Sequence, residues 1–351
     1  MKFPLKSKDG ELKIQISRGD GIVIEIKTPA DGWEAVSFKP DAERGVVELT
    51  LTSVIHGDLC DGKGKVRALP KTVMTVKGKA RHIPAKKAEA EKPRVAKIRL
   101  TGENTAVNIA DGAELIRIPA GTFWRGSKEG PRDERPMRRI DLDEYWIYKY
   151  PVKLAMYEKF YEEVNPSNKF RRVWGHTMVD DLEKPAGEYP VLLSWNEADV
   201  YAKRMGGYLP TEAQWEKAAR GDKDARVYPW GDKWEPWRVT SMENTVKIGG
   251  VGTMRMSQAH PDSVSPYGVW DMCGNNFEWV RDWYAWDYYA KSSPTNPRGP
   301  ETGVNKVMKG GDSMHSETKA RISYRFLCEP DRRDFLKVGF RVVLENPEIE
   351  K

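Results

Sequence analysis

The sequence predicts an α+β protein in two parts: a small all-β domain, followed by a larger domain that is rich in coil. Three observations support this prediction. Between residues 12 and 76, apolar and polar residues alternate with the period of two that is typical of β-strands. Helix-start signals follow at Ser194 and Thr211. From residue 228 to 270, glycine, proline and tryptophan interrupt every regular pattern, which indicates coil ordered by aromatic packing.

Length and composition narrow the class of protein. A chain of 351 residues exceeds what one small core usually organises, and its net charge of +6 is spread out, so nucleic acid is not an expected partner. No apolar run approaches the length of a membrane span. Charged residues follow Met1 where a signal peptide would be apolar, so we expect a cytoplasmic protein, or an extracytoplasmic one if a leader was removed. Three cysteines are too few for a disulfide framework.

The alternating segments define the first domain, residues 1–78, which we predict to be a small β-sandwich or barrel. Its strands are expected at 12–17, 22–27, 46–52 and 72–76, with a hairpin turn at Gly19–Gly21 between the first two. Residues 79–97 are rich in lysine, alanine, glutamate and proline. Such a segment buries too little apolar surface to order itself, which predicts a linker. The larger domain then takes residues 98–351.

Local signals predict several elements of the larger domain. Leu115–Phe123 alternates and then turns, which favours a strand and a hairpin. Apolar residues spaced i, i+3, i+4 and i+7 from Tyr157 predict an amphipathic helix. Two more helices are expected to begin at capping boxes, Ser194 with Glu197 and Thr211 with Gln214, and Gly221 ends the second of them.

The stretch Asp271–Trp279 places a carboxylate, Glu278, among residues that favour the interior. A buried carboxylate must be paired, hydrogen-bonded or bound to a metal. Side-chain oxygens cluster at Asp271, Asn275, Asn276 and Glu278, as a Ca²⁺ site requires. A polar turn whose carboxylate accepts backbone N–H groups explains the same residues.

Several segments together match one family. They are Ile118–Phe123, Leu209–Gly221, Tyr228–Gly231, Gly274–Trp279, Lys309–Gly311 and Gly339–Arg341, in the expected order. The chain resembles the formylglycine-generating-enzyme (sulfatase-modifying-factor) family over about residues 112 to 345. The resemblance implies a C-type-lectin-like domain, rich in coil, preceded here by the small all-β domain.

The resemblance also bears on catalysis. Formylglycine-generating enzymes bind copper through two cysteine thiolates just after the Gly-Gly pair, and thiolates suit Cu(I). Aligned on Lys309–Gly311, those two positions fall on His315 and Ala320. The resemblance therefore implies that copper-dependent oxidation of a peptidyl cysteine is lost. His315 is the remaining candidate catalytic residue, and the sequence identifies no transition metal for it.

A calcium site is the second implication. In the family, one structural Ca²⁺ is held by a side-chain oxygen at the position of Asp271, by backbone oxygens at Gly274 and Asn276, and by the carboxylate at Glu278. All four positions supply the required oxygens here.

Ligand binding is the third implication. Residues 312–336 correspond to the surface that this fold varies in retroelement-diversified binding proteins. The candidate ligand-binding residues are Ser313, His315, Glu317, Lys319, Tyr324, Arg325 and Arg332, together with the aromatic residues Trp283 and Trp286.

The leading hypothesis is a non-catalytic binding or scaffold protein that recognises a protein, peptide or glycan at this surface. One alternative is an iron- or copper-dependent oxidoreductase with a rearranged site around His315. Another is an accessory subunit that docks into a larger assembly through its N-terminal β-domain.

Overall fold

The computed structural model describes residues 2–7, 10–18, 22–27, 33–41, 46–53, 73–79, 95–165, 186–243, 259–332 and 338–350, and for the segments before residue 80 it describes the backbone alone. The chain divides into two compact units, Met1–Ala90 and Glu91–Lys351. The division falls inside the predicted linker, most of which lies outside the described residues. Among the described helices, none combines the length and apolarity that a membrane crossing needs.

The first unit contributes six strands in two antiparallel sheets. One sheet has the order β1 (Lys2–Ser7), β2 (Gly10–Arg18) and β3 (Ile22–Lys27), and the other has β4 (Trp33–Asp41), β5 (Val46–Ser53) and β6 (Val73–Lys79). The four predicted strands correspond to β2, β3, β5 and β6, and β2 pairs with β3 as expected of a hairpin. Its predicted turn, Gly19–Gly21, lies outside the described residues. A sandwich or barrel stays a prediction.

The second unit is a mixed α+β structure with few helices. Its strands are β7 (Lys97–Leu100), β8 (Thr105–Asn108), β9 (Glu114–Ile118), β10 (Gly121–Arg125), β11 (Arg138–Leu142), β12 (Tyr145–Tyr148), β13 (Phe277–Trp283), β14 (Lys306–Lys309), β15 (Phe326–Cys328), β16 (Val338–Phe340), β17 (Val343–Leu344) and β18 (Glu348–Ile349). Its described helices are α1 (Leu154–Val164), α2 (Trp195–Arg204), α3 (Glu212–Arg220), α4 (Tyr288–Lys291) and α5 (Glu317–Ala320).

Three sheets organise these strands. The largest has six strands in the order β17-β12-β9-β8-β7-β18, another has four in the order β15-β14-β13-β16, and β10 pairs with β11. The predicted hairpin after Leu115 is wrong, because β9 pairs with β8 and β12, whereas β10 pairs only with β11. Gly121 has a φ of +126°, and this backbone conformation turns the chain out of the large sheet.

Two large apolar clusters fill the second unit. The first lies between the six-stranded sheet and helices α1 and α2, where Tyr157, Phe160 and Tyr201 pack ring against ring. The second surrounds α3, whose Trp215 is fully buried among side chains of β10, β11 and β13. Both predicted capping boxes are present at the starts of α2 and α3.

Every residue of α3 is buried, although its nine residues include four that carry charge. A fully buried helix of this composition requires ion-pair partners from the surrounding strands and loops. Those partners define the interior of the candidate site.

Candidate functional site

The turn that leads into β13 ends at a buried carboxylate. The Glu278 side chain is 1% exposed, and its Oε1 accepts a hydrogen bond from Arg341 Nη2 at 2.5 Å. Its Oε2 accepts from Arg341 Nε at 2.7 Å and from Trp215 Nε1 at 2.8 Å. Three donors and a full positive charge therefore satisfy Glu278 inside the protein.

The other predicted calcium positions form a tight turn beside this ion pair. Asp271 has a φ of +56° and is 7% exposed, and the Gly274 carbonyl accepts the N–H of Asn276 at 2.8 Å. The contacts of Glu278 fit an internal ion pair with Arg341 and do not call for a calcium ion. Calcium binding at Asp271, Gly274, Asn276 and Glu278 stays a prediction.

A second buried carboxylate, Glu212, starts α3 and holds a larger network of charges. Its oxygens accept from Arg325 Nε at 2.8 Å, Tyr289 OH at 3.0 Å, Arg125 Nη2 at 3.3 Å and Lys309 Nζ at 3.4 Å. Burial raises the pKa of Glu212, but the three cations outweigh burial and lower the pKa to about 2. We call these five residues the Glu212 cluster.

Asp282, on β13, is another buried carboxylate, and it contacts Glu212. Its Oδ2 accepts the backbone N–H of Glu212 at 2.9 Å, while its buried Oδ1 accepts no hydrogen bond within the described structure. Burial, and next the negative charge of Glu212, raise the pKa of Asp282 to about 6. The three cations therefore keep Glu212 ionised, whereas burial disfavours the ionised form of Asp282.

From this interior the chain turns outward through Gly310 and Gly311. Both have positive φ values, +94° and +75°, and a Cβ on Gly311 would lie 2.9 Å from the Lys319 carbonyl oxygen. The pair therefore allows the loop after Lys309 to pass close against α5. At the end of this turn lies Asp312, which is 4% exposed.

Asp312 orients the candidate catalytic histidine. Its Oδ1 accepts a hydrogen bond from His315 Nδ1 and another, at 2.9 Å, from the N–H of Met314. Because a carboxylate accepts hydrogen bonds, Nδ1 is the donor in this contact, and the hydrogen bond fixes the orientation of the ring. The His315 side chain is one quarter exposed, and its ring centre lies 5.5 Å from that of Phe277 in an edge-to-face arrangement.

A row of rings extends from His315 along the four-stranded sheet. Phe277 stacks on Phe326 at 5.1 Å, and Phe326 lies parallel to Tyr324 at 6.4 Å. The Lys319 ammonium stands 5.2 Å from the Phe326 ring centre. Met314, at 48% exposed, adjoins this row in sequence. We call the set of Met314, His315, Lys319, Tyr324 and Phe326, with buried Phe277 beneath it, the His315 surface.

The predicted ligand-binding residues do not all share one surface. His315, Lys319 and Tyr324 come together, but Ser313 is fully buried and Arg325 is 5% exposed. For these two the expected surface position is wrong. Arg325 turns inward because Glu212 needs a cation, and Ser313 follows the chain into the interior, where its N–H donates to the Asn275 carbonyl.

The remaining members of that set lie elsewhere. Glu317 accepts a 3.4 Å hydrogen bond from the Tyr228 hydroxyl, and Arg332 is exposed. Trp283 packs on the Lys306 ammonium at 3.7 Å, which also lies 3.9 Å from the Trp195 ring. Trp286 is half exposed and belongs to a separate cleft.

The thiol of Cys273 does not replace the thiolates expected after the Gly-Gly pair. Ala320 is 4% exposed, and its carbonyl accepts a hydrogen bond from the Cys273 thiol at 3.1 Å. Burial raises the pKa of the Cys273 thiol well above its usual range, so it stays protonated. Among the described residues, no group of three or more His, Cys, Asp and Glu side chains is placed to hold a metal ion.

Comparison with known proteins agrees with this fold. The family described as "Sulfatase-modifying factor enzyme 1-like domain" matches residues 102–346. The chain belongs to this family. The formylglycine-generating enzyme of Streptomyces coelicolor is 36% identical over 278 residues, which cover 64% of this chain and 87% of that enzyme.

One further relative and one solved structure differ in context. The serine/threonine-protein kinase pkn1 of Chlamydia pneumoniae is 32% identical over 236 residues, and the match spans 62% of this chain but only 36% of the kinase. The structure of Treponema denticola variable protein 1 has a TM-score of 0.56 and 19% identity, covering 72% of this chain and all of that one. At that identity the likeness shows the fold alone.

The copper that the family implies does not fit the residues found here. The two thiolate positions hold an imidazole, His315, and a methyl group, Ala320. The nearby thiol of Cys273 is buried and hydrogen-bonded to a carbonyl. No reaction step through copper follows from this arrangement.

The sequence alone did not predict several contacts of the candidate site. Asp312 and His315 stand three positions apart, a spacing that could have suggested their pairing. Phe277 and Phe326 read as ordinary core residues, and nothing local shows that they form one row. The Glu212 cluster gave no signal either, because its members lie as far as 200 positions apart, between Arg125 and Arg325.

Proposed function

We propose that this chain is a non-catalytic binding protein that recognises an extended peptide segment of a protein partner at the His315 surface. The proposal places this recognition on a fold that we expect to be C-type-lectin-like. It rests on one observation, the row of rings that joins His315, Phe277, Phe326 and Tyr324. The partly exposed rings of this row, His315, Tyr324 and Phe326, provide rigid contact area, as in many peptide-binding sites.

The polar groups of the His315 surface supply direction for such a peptide. Lys319 places a cation above Phe326, and the Asp312 hydrogen bond fixes the His315 ring. Met314 adds a flexible apolar side chain, which adapts to more than one partner shape. A peptide with an aromatic or aliphatic anchor beside an acidic residue would match these groups.

The test uses a phage-displayed library of random peptides panned on the full-length chain. Peptides enriched on the wild type should lose at least about tenfold in affinity on the variant Met314→Asp, because it replaces an exposed apolar side chain next to His315 with a charge. Val200→Asp is the matched control, since Val200 is 57% exposed on α2, outside the His315 surface. No enrichment, or an equal loss on both variants, would refute the proposal.

A catalytic assay tests whether the chain is non-catalytic, as the proposal states. The protein is incubated with copper and a peptide containing Cys-x-Pro-x-Arg, and mass spectrometry detects the conversion of cysteine to formylglycine. We expect no conversion. Formylglycine formation would show that the chain is an enzyme despite its changed thiolate positions.

The oxidoreductase alternative is favoured by one observation, the hydrogen bond from His315 Nδ1 to Asp312. Metal-binding histidines commonly donate their second ring nitrogen to a carboxylate in this way. If His315 holds iron or copper, His315→Ala should abolish stoichiometric metal content measured by mass spectrometry. An unchanged metal content would eliminate this alternative.

A further inference from the structure

An open cleft of about 790 Å³ lies in the second unit, built by the loop between β10 and β11 and by the segment around α4. Of the predicted ligand-binding residues, it includes only Trp286. The charged and aromatic side chains that line it are Lys128, Arg132, Arg135, Trp286, Asp287 and Lys291. Its volume falls in the range of ligand pockets.

The cleft has a strong excess of positive charge. Four cations line it against one carboxylate, and that carboxylate, Asp287, forms an ion pair with Lys291. Lys128, Arg132 and Arg135 are all exposed, and none of them forms an ion pair with a described carboxylate. Three cations of the cleft therefore have no ion-pair partner among the described residues.

Two acidic residues of the same loop, Asp133 and Glu134, contact internal groups, whereas Glu129 is exposed. Glu134 is fully buried and accepts from Arg321 Nη2 at 2.7 Å and Nη1 at 2.8 Å, and from Ser323 Oγ at 2.7 Å. Asp133 accepts from Tyr284 OH at 3.0 Å. Consequently, both carboxylates that follow Arg132 in sequence have internal partners, and neither forms an ion pair with Arg132.

Internal contacts also hold the loop in shape. The backbone carbonyl of Asp133 accepts from Arg325 Nη1 at 3.1 Å, which ties the loop to the Glu212 cluster. The Ser127 hydroxyl accepts the N–H of Gly130 at 2.8 Å. The Arg132 guanidinium lies 4.4 Å from the ring centre of Trp286, which is 50% exposed. A stacked guanidinium on a fixed loop is already ordered for a ligand.

We propose that this cleft binds a phosphorylated peptide segment, with Arg132 and Arg135 donating to the phosphate and Trp286 packing against the peptide. Arginine matches phosphate with paired N–H donors, and several cations close together favour a dianion over a single carboxylate. The open shape suits an extended chain more than a small molecule that must be enclosed. This site is separate from the His315 surface and does not depend on the function proposed for it.

The test measures fluorescence anisotropy of a short labelled peptide with two phosphoserines flanked by aspartates, and of its twin with plain serines. We expect the phosphopeptide to bind the wild-type chain at least about tenfold more tightly than its twin. Arg132→Gln and Arg135→Gln should each weaken phosphopeptide binding about tenfold. Arg204→Gln is the matched control, because Arg204 is exposed on α2 and lies outside the cleft.

Three outcomes would overturn the proposal. Equal affinity for the two peptides would show that phosphate is not recognised, and an equal loss in Arg204→Gln would show general charge attraction. Displacement by a nucleoside triphosphate at lower concentration than by unlabelled phosphopeptide would assign the site to a nucleotide instead. The substituted residues are all exposed, and a melting temperature equal to that of the wild type confirms that each variant folds. If either arginine variant fails this check, Lys128→Gln gives an independent test.

Discussion

Replacing Glu278 with alanine tests the buried ion pair that connects three parts of the second unit. Arg341 is fully buried, and besides Glu278 it donates to the carbonyls of Tyr148 and Trp270, each at 3.0 Å. It thereby joins β13, β12 and the coil before the Asp271 turn. In Glu278→Ala the guanidinium keeps its carbonyl partners but loses its counter-ion, and Trp215 loses its acceptor.

These contacts determine how much the free energy of unfolding should fall in Glu278→Ala. Removing one member of a buried ion pair costs about 3–5 kcal/mol, because the other charge stays buried without compensation. The carbonyls of Tyr148 and Trp270 keep part of the Arg341 charge solvated, while the missing side chain leaves a small cavity. We therefore expect a loss of about 3 kcal/mol in the free energy of unfolding.

Urea unfolding followed by tryptophan fluorescence measures this loss in the second unit, since only Trp33 of the 13 tryptophans precedes residue 91. Glu278→Gln is the matched variant, because it keeps the shape and one acceptor oxygen but removes the charge, and it should cost less. A loss below about 1 kcal/mol in Glu278→Ala would refute the ion-pair account.

Thermal melting in EDTA and in Ca²⁺ tests calcium binding at the same turn. The ion pair with Arg341 predicts that Glu278→Ala loses stability equally in EDTA and in Ca²⁺. The calcium prediction requires that Ca²⁺ raise the melting temperature of the wild type and that Glu278→Ala and Asp271→Ala abolish the increase. A wild-type melting curve unchanged by Ca²⁺ would eliminate the calcium site.

Three further predictions concern buried polar groups. Burial and the charge of Glu212 raise the pKa of Asp282 to about 6, so the free energy of unfolding should fall as the pH rises from about 4 to about 6. Asp282→Asn should remove this fall and stabilise the protein at neutral pH by on the order of 1 kcal/mol. Burial lowers the pKa of Lys306 to about 8, so stability should rise between about pH 8 and 10.5, and Lys306→Met should flatten the rise. Thr211→Ala removes the hydroxyl that caps α3 and should cost about 1 kcal/mol.

Urea titrations at a series of pH values check all three. Exposed residues give the controls: Asp262→Asn and Lys233→Met should follow the wild-type curves throughout. An Asp282→Asn curve parallel to that of the wild type between pH 4 and 6 would contradict the first prediction. A Lys306→Met curve that keeps the alkaline rise would contradict the second, and a Thr211→Ala protein as stable as the wild type would contradict the third.

The sequence predicted those elements that depend on residues close together in the chain. The capping boxes at Ser194 and Thr211 depend on residues three positions apart, and both are present. The helix expected from Tyr157 runs from Leu154 to Val164, because its apolar spacing matches the face that packs on α2. Four strands of the first unit follow the alternation that predicted them.

Predictions failed where a distant residue decides the outcome. Arg325 reads as a surface cation, yet Glu212, more than 100 positions earlier, draws it inside. The sequence also indicated that Glu278 needs a partner, but it did not identify Arg341, which lies 63 positions later. A single sequence shows that a buried charge needs a partner but does not show which cation the fold brings to it.

The segment from Lys309 to Arg325 contains both buried ion-pair residues and part of the His315 surface. It begins and ends in the Glu212 cluster, because Lys309 and Arg325 both contact Glu212. Between these two anchors lie Met314, His315 and Lys319, which are at least partly exposed. Exposed side chains between two buried anchors can change without loss of the fold, since the ion pairs fix the ends of the segment. Substitutions at Met314 and Lys319 should therefore alter the proposed peptide binding while leaving the free energy of unfolding almost unchanged, and substitutions at Lys309 or Arg325 should lower the free energy of unfolding.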